Sequence, residues 1–265
     1  WTEGTNSWMV THLNYYLRAK LMWDAEADVE ALVHDYCQKF YAGAADAVEE
    51  YIWILESAVE QTTSHQTWGR LMQWRTIFPP VQKKLDYLMS RAEDLVQDSR
   101  SRKRVQVLKL VHNHMKAYVR MEQVVAQGKF QEGLEWADKM LAIRDEVNTI
   151  KSGLLPHTPE WASDFRTTLE WHKEIYRDLA EKADGKEGEL LTLLPRQWEF
   201  KLDPKDIGVI YQWYLDSNGE DWAKIDTTLN WEAQGYQDQQ GWGFWGKAWY
   251  RTGFSVPTGI EGKSI

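Results

Sequence analysis

Glu3 is the carboxylate whose setting differs from a solvated helix face. It lies in WTEGTNSW, a loop-like stretch of small polar residues framed by Trp1 and Trp8, with Asn6 between them. Indole rings present flat faces to which the C–H face of a sugar can stack. If residue 3 closed a barrel strand, its carboxylate would face the mouth where barrel enzymes carry their chemistry. Trp1, Glu3, Asn6 and Trp8 are therefore the candidate substrate-binding residues, and Glu3 is the candidate catalytic carboxylate. The alternative is a loop that simply leads into the first helix. Glycoside hydrolysis needs two carboxylates at a set separation, and no second one in this chain pairs convincingly with Glu3. The other Asp and Glu residues fall almost entirely on the polar faces of helical patterns, where solvation is their ordinary role.

The remaining reactive types point to structure. His112 and His114, two residues apart, would be rotated by about 200° on a helix and so point to opposite faces, unable to share one ion. No other cluster has ligand spacing, so neither a metal nor a cofactor is expected. The run GWGFWG, Gly241 to Gly246, matches a dinucleotide fingerprint letter by letter. That fingerprint works only between a buried strand and a helix N-terminus. Here a strand-like segment follows, so a glycine-rich loop between strands is the expectation. The single cysteine, Cys37, sits among Val33, Tyr36 and Phe40, which predicts a buried, inert thiol.

The elements that must position such groups fall into two textures. From about residue 11 to 183 the apolar residues recur at helical spacing. Val29, Leu32, Val33, Tyr36 and Phe40 form one stripe, continued after Gly43 by Ala44, Val48, Ile52, Leu55 and Val59. Longer stripes run through Val81–Leu95, Leu108–Val125 and Phe130–Leu141, with Pro79 and Pro80 marking a start and Gly128 a stop. Thr158 and Pro159 predict the start of a last helix that ends near Gly185. Beyond the linker candidate GKEGELLTLLP, glycine, tryptophan and short β-type runs replace this period. Tyr250, Thr252, Phe254 and Val256 alternate with Trp249, Arg251, Gly253 and Ser255, as on a strand with two faces.

Composition narrows the partners. With 31 Lys and Arg against 40 Asp and Glu, a net charge of −9 argues against a nucleic-acid backbone as partner. The cationic cluster Arg100, Arg102, Lys103 and Arg104 reads as a solvated elbow between helices. No apolar run approaches the roughly 18 residues of a membrane span. Tryptophan is unusually abundant, at 16 of 265 residues, seven of them in 198–265; Trp136, Trp161 and Trp171 are expected to pack within the helices.

Two stretches resemble known families. HLNYYLRAKLMWDAEADVEALVHDYCQKFYAGAADAVEEYIWILE resembles the C-terminal part of the bacterial glycoside-hydrolase-like family called domain of unknown function 4838. Lys20, Leu21, Trp23 and Asp24 match its "K-L-x-W-(D/N)" step, and Phe40, Tyr41, Gly43 and Ala45 match its "(F/Y)-Y-G-x-A" opening with Ala42 inserted. WEFKLDPKDIGVIYQW, WAKIDTTLNWEAQG and GKAWYRTGFSVP together resemble the opening of the galactose-binding-like, sugar-binding jelly roll of family-two glycoside hydrolases. Trp198, Asp203, Gly208, Trp222, Trp231, Gly235, Gly246, Trp249, Tyr250, Arg251 and Pro257 stand at its pattern positions, most of which build that sandwich.

The resemblance implies a secreted or periplasmic bacterial protein acting on or binding oligo- or polysaccharide. Its architecture would be the last β/α unit of a TIM-like barrel (1–62), a helical bundle (63–186), a linker (187–196) and a partial β-sandwich (197–265). The chain opens on Trp1, and about 70 residues are few for a sandwich that typically needs about 100. It is thus expected to be a fragment of a longer protein, with its main catalytic carboxylates upstream and no hydrolysis by itself. The alternative is a non-catalytic carbohydrate-binding, scaffolding or protein-interaction module.

Overall fold

Asp28 and Asp98 each start a helix by the same chemistry. The Asp28 carboxylate accepts the backbone N–H groups of Glu30 and Ala31 at 2.9 and 3.2 Å, and Asp98 those of Arg100 and Ser101 at 3.0 and 2.9 Å, satisfying donors that the first helical turn leaves unpaired. The computed structural model describes residues 8–62, 74–151, 154, 165–186, 188–215, 221–229, 231, 234–237 and 244–259. In chain order the helices are α1 (Trp8–Trp23), α2 (Val29–Tyr41), a 3-10 turn (Ala42–Ala44), α3 (Ala45–Glu60), α4 (Trp74–Leu95), α5 (Ser99–Val125), α6 (Phe130–Ile150) and α7 (Phe165–Lys182). Strands β1 (Gln197–Asp203), β2 (Ala223–Asp226) and β3 (Lys247–Arg251) follow. The chain divides into two compact units, 1–61 with 74–184 and 62–73 with 185–265.

Among the described residues, the regular elements of the first unit are all helices. Helix α5, 27 residues long, packs against α4 and α6 and also meets α1 and α2; α3 lies on α4, and α7 on α6. One core joins Val33, Cys37 and Tyr41 of α2, Val48 and Tyr51 of α3, Leu85 and Leu88 of α4, Met121 of α5, and Ala137 and Met140 of α6. The central positions of the apolar stripes are therefore packing faces, while Val29, Val59 and Leu95 at their ends stay exposed. Gly128, at φ 75°, ends the α5 segment in the left-handed conformation that glycine adopts without a Cβ penalty.

Pro79 and Pro80 depart from expectation. They lie inside α4, which already includes Trp74–Phe78. Proline removes the N–H bond to the carbonyl four residues back and costs the helix about 3 kcal/mol or more. Burial of Ile77 and fully buried Phe78 supplies tertiary packing that offsets this. Helix α7 ends at Lys182, close to the expected stop, while Thr158, Pro159 and Trp161 lie outside the described residues.

In the second unit the three strands form one antiparallel sheet in the order β2-β1-β3. Alternation in WEFKLD puts Trp198, Phe200 and Leu202 on one face and Glu199, Lys201 and Asp203 on the other. Phe200 and Ile225, each 1% exposed, centre a small core with Trp231, Tyr236 and Tyr250 around the Phe200 ring and Phe244 against Trp231. The expected alternation over 249–256 holds as strand only to Arg251. Among the described residues there is neither a barrel strand nor a second sheet packed on the first.

Candidate functional site

The polar face of the small sheet gathers charged and aromatic side chains. Glu199 sits on the central strand, with Lys224 of β2 and Arg251 of β3 as its cross-strand partners. Its carboxylate accepts from Arg251 Nε and from Lys224 Nζ, the latter at 3.4 Å. The Arg251 guanidinium, and then the ammonium of Lys224, hold the Glu199 carboxyl below the usual range. One carboxylate thus ties three strands into a charged row. Trp222 closes one end of it, its ring 4.2 Å from the Arg251 guanidinium carbon.

The neighbouring row pairs Lys201 with Trp249. Lys201 Nζ stands 4.4 Å from the Trp213 ring centroid, and Trp213 and Tyr214 both contact the Trp249 ring. Cations over indole faces are held by the ring quadrupole. The arrangement offers charged donors and an acceptor beside aromatic rings, groups able to hydrogen-bond polar ligand atoms and to pack against an apolar ligand face.

Asp203 underpins this face. Its carboxylate accepts Ile207 N–H and Gly208 N–H at 2.8 Å each and Trp249 Nε1–H at 2.9 Å. Burial acts to raise its pKa, but these three donors outweigh it and hold the carboxyl below the usual range. Gly208 allows the close approach, because a Cβ there would stand 2.1 Å from Trp249 Nε1. Asp203, Gly208 and Trp249 thus support this face of the sheet.

The bundle contains a Tyr–His–Asp chain with the outline of a catalytic relay. His112 bonds Tyr51 through Nδ1 at 3.1 Å and Asp86 through Nε2 at 2.7 Å, and Lys116 bonds the same Asp86 oxygen at 2.7 Å. A carboxylate can only accept, so Nε2–H donates to Asp86, and a neutral ring's Nδ1 accepts from the Tyr51 hydroxyl. Tyr51 and His112 are each 2% exposed, so no substrate reaches them. Burial raises the Tyr51 pKa and lowers that of His112. This chain is a polar staple in the core.

His112 and His114 point to different surroundings, as two-residue spacing requires. His114 lies half-buried near Arg144, and desolvation, then that charge, lowers its pKa to about 4. Among the described residues no group of His, Cys, Asp or Glu could hold a metal ion. Cys37 is fully buried, and burial pushes its thiol up to about 12, the inert state read from its neighbours.

Two expectations need correction. The basic cluster at the start of α5 is not wholly solvated: Arg102 donates to Val96 O, and Arg104 donates to Phe40 O at 2.7 Å while stacking 3.9 Å from the Phe40 ring. Long side chains bury their stems wherever a carbonyl or ring is in reach. Trp171 is 58% exposed on α7, so it does not pack as expected, because α7 turns another stripe inward through Leu169 and Tyr176. Trp1, Glu3 and Asn6 lie outside the described residues, as does the side chain of Trp8, whose backbone opens α1. The sheet face was missed by sequence reasoning, although the period-2 pattern of WEFKLD carries its signal.

A family model, domain of unknown function (DUF4838), matches residues 2–53, the stretch whose resemblance was read from the sequence. Within it, Tyr41 is buried and Gly43 approaches the Leu95 carbonyl so closely that a Cβ would stand 2.7 Å from that oxygen. The inserted Ala42 takes φ 49°. These motif positions shape the turn between α2 and α3, whereas Trp23 of the K-L-x-W step is 93% exposed. Comparison with curated proteins and with solved structures finds no match.

Proposed function

We propose that the chain is the C-terminal part of a carbohydrate-active, glycoside-hydrolase-like protein and that its second unit binds oligo- or polysaccharide through the polar face of the sheet. The observation that carries this reading is the Lys224–Glu199–Arg251 row set beside Trp222, Trp213 and Trp249. The DUF4838 match at residues 2–53 and the three sugar-domain-like segments, which form adjacent parts of one unit, support it. In this reading the sheet opens a galactose-binding-like jelly roll and the stretch around Glu3 belongs to the rim of a barrel. The main acid/base carboxylates lie outside residues 1–265, and the protein works in the periplasm or outside the cell.

The test is a glycan panel read by calorimetry with the 265-residue chain and its Trp222→Ala and Glu199→Gln variants. The expected result is binding of at least one neutral oligosaccharide, weakened about tenfold or more by either substitution, in line with about 1.4 kcal/mol per decade. Silence across the panel, or binding unchanged in both variants, would overturn the reading. A protein-interaction module would give that silence.

A further inference from the structure

The first unit carries a groove of about 610 Å³ laid across α4, α5 and α6, within the size range of small-ligand sites. Its walls are helical stripes. Asn113, Lys116, Ala117 and Arg120 line it from α5, and Trp136, Lys139, Ile143 and Glu146 from α6, the i, i+3 or i+4, i+7 spacing of a single face. Ala117 and Ala142 keep the floor open because neither has a side chain long enough to fill it. Gln82, Asn113 and Gln123 add three amides around the rim.

The cations here are placed by geometry. Arg120 Nη2 donates to Glu132 at 2.9 Å, and Trp136 Nε1 donates to the same carboxylate oxygen at 3.4 Å, so one acid outside the groove fixes both a guanidinium and an indole. Lys116 is tied to Asp86. Lys139 stands 3.8 Å from the Trp136 ring centroid. Three cations and one carboxylate, Glu146, therefore line this groove in a chain whose net charge is −9.

From this we infer that the groove binds an acidic saccharide, its carboxylate or sulfate group held by Lys139, Lys116 and Arg120. A pyranose ring packs beside Trp136 and the amides of Gln82, Asn113 and Gln123 meet its hydroxyls. The saccharide half of this inference rests on the carbohydrate reading above; the acidic half rests on the groove alone. Planar guanidinium and ammonium donors suit carboxylate and sulfate oxygens, and an indole beside amides suits a polyol with an apolar face.

Calorimetry with the 265-residue chain tests it, using a galacturonate oligomer, a sulfated galactan oligomer and a neutral galactan oligomer of equal length. The variants are Lys139→Glu, Ala142→Trp, which fills the floor without touching a cation, and Trp222→Ala in the other unit. Matching thermal unfolding midpoints establish that each is folded. One or both acidic oligomers should bind more tightly than the neutral one, with affinity falling as salt rises. Lys139→Glu should weaken that binding at least tenfold and Ala142→Trp should abolish it, while Trp222→Ala should weaken only the binding of neutral glycans at the sheet. Which acidic oligomer binds distinguishes carboxylate from sulfate. Acidic and neutral oligomers bound equally, or acidic binding insensitive to both groove variants, would overturn the inference. If neutral glycans bind through Trp222 while acidic ones do not use the groove, the groove inference alone fails. Silence toward all three oligomers and the wider panel sinks both readings.

Discussion

Half-buried imidazoles should make this bundle sensitive to mild acid. Burial, then the Arg104 charge, lowers the pKa of His12 to about 4, and burial near Arg144 does the same for His114. His12 lies against Tyr36, whose hydroxyl is 2.6 Å from Nδ1, and stacks on Phe40. The folded pKa lies below the unfolded value near 6.5, so acid protonates the unfolded chain first. Stability is full above about pH 6.5 and is lost as pH falls toward 4, each unit of depression being worth about 1.4 kcal/mol. The carboxylates with lowered values, such as Asp86 and Asp98, lose their contribution lower still, as pH falls below the ordinary carboxylate range. Thermal unfolding followed by helical circular dichroism should therefore show a midpoint that drops between pH 6.5 and 4. His114→Gln should flatten that drop; an unchanged slope would refute the assignment. Removing the centre of the Tyr51–His112–Asp86 staple with His112→Ala leaves a buried hydroxyl unpaired and should destabilise the bundle by about 2–4 kcal/mol in denaturant titration.

Elements are held here by close approaches that small residues permit. Gly208 brings the segment after β1 against Trp249 and lets its N–H reach Asp203. Gly208→Ala forces a Cβ into the indole and should cost the second unit roughly 3 kcal/mol. The expected signature is loss of near-ultraviolet tryptophan signal with helical circular dichroism retained. Gly43 acts similarly where the α2–α3 turn meets the end of α4 at Leu95; Gly43→Val should lower the unfolding midpoint of the helical unit and leave the tryptophan signal of the sheet in place. Phe200→Ala should cost about 3–5 kcal/mol, because the Phe200 ring is the centre around which Trp231, Tyr236 and Tyr250 assemble. If the sheet signal survives this change at ambient temperature, the small aromatic core is less decisive than its burial indicates.

At the scale of the molecule, the two units carry different chemistry: a helical unit with a buried polar staple and a groove lined by Lys116, Arg120, Lys139 and Glu146, and a sheet unit with a charged, aromatic face. With the main acid/base carboxylates proposed to lie outside residues 1–265, the 265-residue chain is expected to release no product from aryl glycosides or polysaccharides, measured by reducing-end assay. Turnover that responds to Glu3→Gln would reverse this and give the stretch before α1 the catalytic role considered for it. No helix among the described residues is long and apolar enough to cross a membrane.

What the sequence determined by itself is whatever depends on local periodicity and short-range chemistry. The stripes of α2, α3, α5 and α6, the stop at Gly128, the change of texture after α7, the inertness of Cys37 and the divergence of His112 and His114 all follow from spacing along one element. Even the two faces of β1 are legible in WEFKLD. Tertiary structure decided what depends on residues distant in the chain. It carried α4 through Pro79 and Pro80, because packing of Phe78 outweighs two lost backbone bonds. It drew Arg104 onto Phe40, 64 positions away, left Trp171 outside, and brought Lys224 and Arg251 to either side of Glu199. Cross-strand register and helix–helix packing couple distant positions through space, and no pattern within a single segment records which distant partner a side chain will meet.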